Sequence, residues 1–316
     1  MEPSSPPAAL LQQQSISRPR LPEWLRVNLP IVQAQRTYNL TADKVQQGVL
    51  HTVCQEAHCP NIHDCWTRGT ATFMIAGKSC TRGCRFCSVE TLRQPDPVDV
   101  DEPRRLAETV ASMELSHVVV TVVNRDDLPD GGASHYRQCI DAIRQKLPQT
   151  TIELLSSDLD GNWEALADLL ANIPLAVFAH NVECVSRLDA KVRDSRASFS
   201  LSLEVLQRAK QLRPDLFTKS SLMVGLGETD DEVIEAMRQL RSVQADMLTL
   251  GQYLPPGRPG TRFIPIDRYV HPDQFHAWAE RAYDLGFHAV ASGPLVRSSY
   301  RAGQLLSDAM AGFRKG

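Results

Sequence analysis

Between Cys80 and Cys87 the chain reads CTRGCRFC, three cysteines with three and then two residues between them. A short apolar run, Thr72 to Ala76, comes just before and reads as a strand. That spacing lets one loop fold three thiolates around a single small inorganic object, a tighter constraint than any hydrophobic pattern in the chain. A zinc site would need a fourth protein ligand and usually shows paired CxxC halves. A cubane iron–sulfur cluster can be held by three cysteines with one iron left open, and an open iron is itself a binding site. A zinc knuckle or plain buried thiols are the competing reading.

Length and composition matter here for what they exclude. With 316 residues the chain is long enough for one large domain with a substantial core. The net charge of −3, without blocks of like charge, gives no support to nucleic-acid binding. No apolar run approaches a membrane span, and the N-terminus lacks the pattern of a signal peptide, so a cytoplasmic protein is expected. Of the eight cysteines, six fall within 34 residues in two triplets, which in a reducing compartment reads as metal ligation rather than disulfides. The other two, Cys139 and Cys184, lie in helix-like segments and read as ordinary buried residues.

In chain order, Met1 to Pro22 is rich in Pro, Ser and Gln and reads as a mobile tail. PEWLRVNLP, Pro22 to Pro30, suits a segment lying across another surface, and Thr41 to Leu50 reads as a short helix capped by Thr41 or Asp43. The second triplet follows as CQEAHCPNIHDC, with Cys54, Cys59 and Cys65 spaced too widely for a zinc ribbon. His58 and His63 lie inside it, so a mixed Cys/His zinc site is a rival reading.

Beyond Cys87 the chain alternates strand-like and helix-like segments. Buried strands are expected at Ser116–Val123, from Thr151, from Pro174, from Thr218 and from Asp246, and the run at Thr72 makes six. Amphipathic helices are expected at Glu102–Met113, His135–Leu147, Asn162–Asn172, Ser202–Leu212 and Asp231–Val243, with a further one at Asp273–Leu285. A repeating βα pattern implies a parallel sheet with helices outside. Six units fit a partial (β/α)6 TIM-type barrel; periodicity alone leaves open an eight-stranded barrel or a doubly wound sheet. No GxGxxG opens a helix, so a nicotinamide domain has no support. Polar loops at the strand ends are where such a barrel places its chemistry.

Taken together, the motifs resemble one family. Cys80, Cys84 and Cys87, with Phe86 before the last, match the CxxxCxΦC loop of radical S-adenosylmethionine (SAM) enzymes. A CxxxxCxxxxxC triplet just ahead of that loop, NIHDCW at Asn61–Trp66, RDDLPDGGA at Arg125–Ala133, GLGET at Gly225–Thr229 and RSSY at Arg297–Tyr300 are similar to the lipoyl synthases. HNVE, His180–Glu183, is similar too, although Cys184 stands where the family has threonine. The resemblance covers about Pro22 to Gly303. It implies that Cys80, Cys84 and Cys87 hold a [4Fe–4S] cluster that binds and cleaves SAM. It also implies that Cys54, Cys59 and Cys65 hold an auxiliary [4Fe–4S] cluster, completed by Ser299 with Ser298 as the fallback. SAM contacts are implied at Phe86, Thr121, Glu153 and Asn181. KVRDSRASF, Lys191–Phe199, fits the family pattern least, with a nonmatching Asp194 and with Phe199 in place of tyrosine.

The resemblance further implies insertion of two sulfur atoms at C6 and C8 of a protein-bound octanoyl chain. Neither acid–base nor nucleophilic groups break such unactivated C–H bonds, whereas a cofactor-derived radical does. Expected partners are an octanoylated lipoyl domain or glycine-cleavage carrier protein, an electron donor such as ferredoxin or flavodoxin, and an iron–sulfur carrier, acting on a monomer. Expected divisions are a tail over 1–21, an auxiliary-cluster extension over 22–70, the barrel over 71–291 and a C-terminal segment over 292–316. Another sulfur-inserting radical SAM enzyme would scatter its auxiliary ligands through the barrel. A two-cluster electron carrier would need no barrel, and a zinc protein would be colourless.

Overall fold

The computed structural model describes residues 21–26, 32–57, 59–68, 71–257 and 261–313; nearly all of the expected tail, and His58, lie outside them. In the eight-stranded main sheet a short edge strand, β1 (His51–Thr52), precedes seven more: β2 (Thr72–Ile75), β3 (His117–Val122), β4 (Thr151–Leu155), β5 (Val177–Ala179), β6 (Phe217–Val224), β7 (Met247–Gln252) and β8 (Ala289–Gly293). β1 pairs antiparallel with β2, and from β2 onward every strand pairs parallel with the next one in the chain. Strictly sequential order is barrel winding. A doubly wound sheet would show an order reversal at a switch point. Among the described residues no ladder joins β8 to β1 or β2, so the barrel is open along one side. All six expected strands are present, and β8 extends them by one.

The expected helices form between the strands: α2 (Glu102–Ser112), α3 (Ala133–Lys146), α4 (Trp163–Leu170), α5 (Phe199–Leu212), α6 (Asp230–Ser242) and α7 (Pro272–Asp284). Their starts are chemically marked. Asn162 and Ser198 accept the third helical N–H of α4 and α5, and Thr229 with Glu232 makes a reciprocal capping box on α6. α1 (Val32–Gln47) corrects the shorter helix expected from Thr41: Thr41 lies inside it and donates to the Trp66 carbonyl at 3.0 Å. Ahead of α1, Leu25 is buried and the Trp24 ring meets His271 edge-on at 4.9 Å, so this part of the 22–30 segment lies across another surface as expected.

Strand alternation divides the residues between two surroundings. Outward-facing Phe73, Ile75, Val118, Val120, Ile152 and Leu154 pack under the helices in one buried cluster with Leu106, Val110, Tyr136 and Ile140. Each large apolar side chain buried there contributes roughly 1.5–3 kcal/mol. Inward-facing Thr72, Met74, Thr121, Leu155, Ser221 and Gly251 line a cavity instead. At the opposite end from the cysteine loop, α8 (Ala302–Phe313) sets Leu305, Leu306 and Ala309 against Val177, Met247 and Ala289, the first residues of β5, β7 and β8.

Candidate active site

The cysteine loop leaves β2 through a tight turn. Ala76 and Gly77 have φ of 69° and 99°, and for Ala76 this left-handed conformation costs about 1–2 kcal/mol. Both backbone groups of Ala76 are held: its N–H donates to Glu102 Oε2 at 2.8 Å and its carbonyl accepts Arg125 Nη1 at 3.0 Å. The loop then closes on itself, with Ser79–Cys80 pairing Glu90–Thr91 and the Cys87 N–H donating to the Cys84 carbonyl. Arg82 anchors it from within. Its buried guanidinium pairs Asp126 at 2.9 Å and Asp158 at 2.5 Å, and Asp160 at 3.3 Å. The loops after β3 and β4 thereby grip the cysteine loop from below. Sequence reading missed Arg82 and Asp158; the only signal for Arg82 is a charged residue inside a buried ligand loop.

Burial raises all six thiols of the two triplets. It takes Cys84 to about 11 and Cys87 to about 12, with the neighbouring thiols of its own loop adding to the rise at Cys87. In the other triplet burial and then the charges of Cys54 and Cys59 take Cys65 to about 12. Cys80, Cys54 and Cys59 move the same way. Thiols that interact in this manner are neighbours, and they stay protonated at neutral pH until a metal group displaces the protons. All eight cysteines are free thiols.

The second triplet is carried by two short helices, Val53–Glu56 with Cys54 and Ile62–Thr67 with Cys65, while Cys59 donates its N–H to the Cys54 carbonyl between them. The C-terminal RSSY segment is tied onto this unit by three bonds. Asn61 Nδ2 donates to the Leu295 carbonyl at 2.6 Å, Tyr300 Oη to Asp64 Oδ2 at 3.2 Å, and Thr72 Oγ1 to Ser299 Oγ at 2.8 Å. Arg297 is the cation facing Cys59.

Both triplets open on one cavity of about 1060 Å³, which Arg297, Ser298, Ser299 and Tyr300 also line. Phe86, Thr121 and Asn181 line it as well. Glu153 does not. It points into the barrel beneath the cavity and pairs with Lys219 at 2.7 Å, both side chains no more than 2% exposed. Glu183, singled out only as part of HNVE, lines the cavity in its place. It has φ of 67°, takes Asn181 Nδ2 at 3.1 Å, and burial holds its carboxyl above the usual range.

The geometry bears on what the triplets fit. Among the described residues neither triplet brings all three sulfurs within 4.8 Å of one another. A single tetrahedral zinc, with bonds of about 2.3 Å, needs thiolates roughly 3.8 Å apart. The wider spacing suits a cluster whose irons each take one sulfur. One set of buried ligand atoms does converge within 4.8 Å, those of Glu102, His135 and Cys139. There Glu102 Oε2 already accepts the Ala76 N–H and stands 2.6 Å from His135 Nε2, which leaves no space for an ion between them. That group is a hydrogen-bond network holding the turn.

An open parallel barrel with a three-cysteine loop beyond its first parallel strand defines a class of enzyme. The model described as the radical SAM superfamily matches residues 74–240, and the chain belongs to that superfamily. Among curated relatives, "Lipoyl synthase" from Anaeromyxobacter sp. is 51% identical over 286 residues, covering 90% of this chain and 95% of that one. "Lipoyl synthase" from Thermus thermophilus is 50% identical over 288 residues, 91% and 87% of the two chains. "Lipoyl synthase, mitochondrial" from Bos taurus is 44% identical over 310 residues, 96% and 82%. The chain belongs to the lipoyl synthase family. It is therefore a sulfurtransferase of the radical SAM kind, with a [4Fe–4S] cluster and SAM as its cofactors. Solved structures agree on the fold alone. The FeFe-hydrogenase maturase HydG from Carboxydothermus hydrogenoformans is 13% identical with a TM-score of 0.50, covering 90% of this chain and 85% of its own. A second HydG structure, at 12% identity, has a TM-score of 0.52 and covers 84% and 57%. Among the described residues no helix is long and apolar enough to cross a membrane.

Proposed function

We propose that the chain inserts two sulfur atoms at C6 and C8 of a protein-bound N6-octanoyl-lysine, with an auxiliary [4Fe–4S] cluster as the sulfur donor. The observation that carries this reading is the shared cavity: both cysteine triplets and Ser299 face the same space. When bound, the first cluster with SAM supplies a carbon radical able to break an unactivated C–H bond, and the second supplies sulfide. Cys80, Cys84 and Cys87 would hold the first, with Phe86, Thr121, Asn181 and Glu183 around SAM. Cys54, Cys59, Cys65 and Ser299 would hold the second. A hard alkoxide is a poorer partner for cluster iron than thiolate, which makes Ser299 the ligand easiest to release. Thr72 Oγ1, donating to Ser299 Oγ, keeps that oxygen beside the Cys54 unit. The barrel wall excludes water and aligns the acyl chain, which is positioning rather than bond-breaking chemistry.

Residues 22–70 and 292–316 build the auxiliary site in this reading, and 71–291 the barrel. The octanoyl chain arrives on a lipoyl domain or the glycine-cleavage carrier protein, electrons come from a ferredoxin- or flavodoxin-type donor, and an iron–sulfur carrier restores the auxiliary cluster. The cytoplasm is the compartment in our reading, since thiols grouped as metal ligands suit a reducing environment. The test is mass spectrometry of an octanoyl-lysine peptide after anaerobic incubation with reconstituted protein, SAM and a strong reductant. Two hydrogens replaced by two sulfurs is the expected product. SAM cleavage with an unchanged peptide would overturn the substrate. Ser299→Ala should lose auxiliary iron and stall before product, and full activity in that variant would remove the serine from the ligand set.

A further inference from the structure

The segment that fits its family pattern least, Lys191–Phe199, lies directly against the first cysteine loop. The Arg85 N–H donates to the Val192 carbonyl at 2.8 Å, and the Gly83 N–H to Asp194 Oδ2 at 2.9 Å. Arg196 Nη2 donates to the Thr81 carbonyl at 2.7 Å and Nη1 to Asp126 Oδ2 at 2.9 Å, while its Nε holds Asp194 Oδ1 at 2.9 Å. The Asp194 N–H donates to Cys84 Sγ at 3.3 Å. The segment is itself fixed to the barrel, since Arg193 reaches the Val182 carbonyl at 3.2 Å and Ser202 Oγ at 3.0 Å, and a turn bond joins the Ala197 N–H to the Asp194 carbonyl.

We propose that Asp194 and Arg196 are positioning residues: they clamp the Cys80–Cys87 loop in its ligating shape before the iron–sulfur group enters, and the Asp194 N–H sets that group's reduction potential through Cys84. The inference rests on the reading that this loop holds the SAM-cleaving cluster. Its physics is that of outer partners on metal ligands. Three protonated thiols within eight residues gain nothing from one another until the group enters, so a preformed loop needs contacts from outside to hold it. An N–H aimed at a ligand sulfur stabilises the more negative, reduced state and raises the potential. A proline at position 194 would remove that donor. The preceding Arg193, with φ −100° and ψ 166°, already has the extended backbone that proline demands of its neighbour.

Three measurements separate the roles. Hydrogen exchange on metal-free protein should show residues 80–87 exchanging faster in Asp194→Ala and Arg196→Ala than in the wild type, with cluster affinity lower by about ten- to a hundredfold. Unchanged exchange and affinity in both variants would overturn the clamp. Redox-poised EPR of the signal that responds to SAM should give a more negative midpoint in Asp194→Pro than in Asp194→Ala, which keeps the N–H. Equal midpoints would overturn the tuning role. Should Asp194→Pro not fold, wild-type protein labelled with 15N-aspartate decides the point: a nitrogen coupling to the cluster spin, lost in labelled Asp194→Ala, is expected, and its absence in the wild type would overturn the contact. If the wild type failed to cleave SAM, the functional reading would fall, while the exchange experiment would still decide the clamp.

Discussion

Lys219 and Glu153 show at the residue scale how a barrel interior differs from a core. Two charged side chains are buried together, so each depends on the other for compensation. Lys219→Ala should destabilise the protein by about 3–5 kcal/mol in chemical denaturation, because it removes the nearer partner of buried Glu153 and leaves only His117 Nε2, 3.9 Å away. Replacing both with Met and Leu should recover most of that loss. His180 is a second case. Burial takes its pKa from 6.5 to about 4, with Nδ1 facing the Ser156 carbonyl and Nε2 facing Ser202 Oγ. The folded state therefore favours the neutral ring. Its contribution is fully present above pH 6.5 and is lost as pH falls toward 4, by up to roughly 3 kcal/mol. His180→Asn should flatten stability between those pH values, as read from urea midpoints at each pH. At the cavity, Glu183→Gln should weaken SAM binding about tenfold in calorimetry without moving the thermal midpoint, since it removes a charge-assisted hydrogen bond.

At the scale of elements, the largely apolar runs of β3, β4 and β7 were legible because strands buried on both faces have little choice of composition. β8 was not. Its sequence, AVASG, has weak strand propensity, and only the parallel ladder to β7 makes it a strand. α8 was hidden for a related reason: its buried face meets residues from three distant strands. Leu306→Ala should cost about 2–5 kcal/mol, because Leu306 is only 4% exposed and nothing can collapse into its place at the barrel end. Denaturation of that variant would measure the loss. The αL turn at Ala76 was likewise unreadable, since alanine carries no signal for positive φ and the conformation is imposed by Glu102 and Arg125 from other elements.

Across the whole molecule, the second cysteine triplet's unit and the RSSY segment meet through the Asn61–Leu295, Asp64–Tyr300 and Thr72–Ser299 bonds, which span separations of more than 200 residues. Breaking two of them together in Asn61→Ala/Tyr300→Phe should lower bound iron from about eight toward about four per chain while SAM cleavage persists. Iron analysis and 5′-deoxyadenosine release would check it. The sequence by itself determined the family, the alternation of strands and helices and the two sets of thiols, because ligand spacing and buried strands are local patterns that chemistry restricts to few sequences. Only the tertiary structure decided that Glu153 belongs to an ion pair rather than the cavity, that Glu183 faces it instead, and that Asp194 and Arg196 hold the cysteine loop. These depend on which side chains from separate strands converge, and alternation along one strand says which way a residue points but not what it meets there.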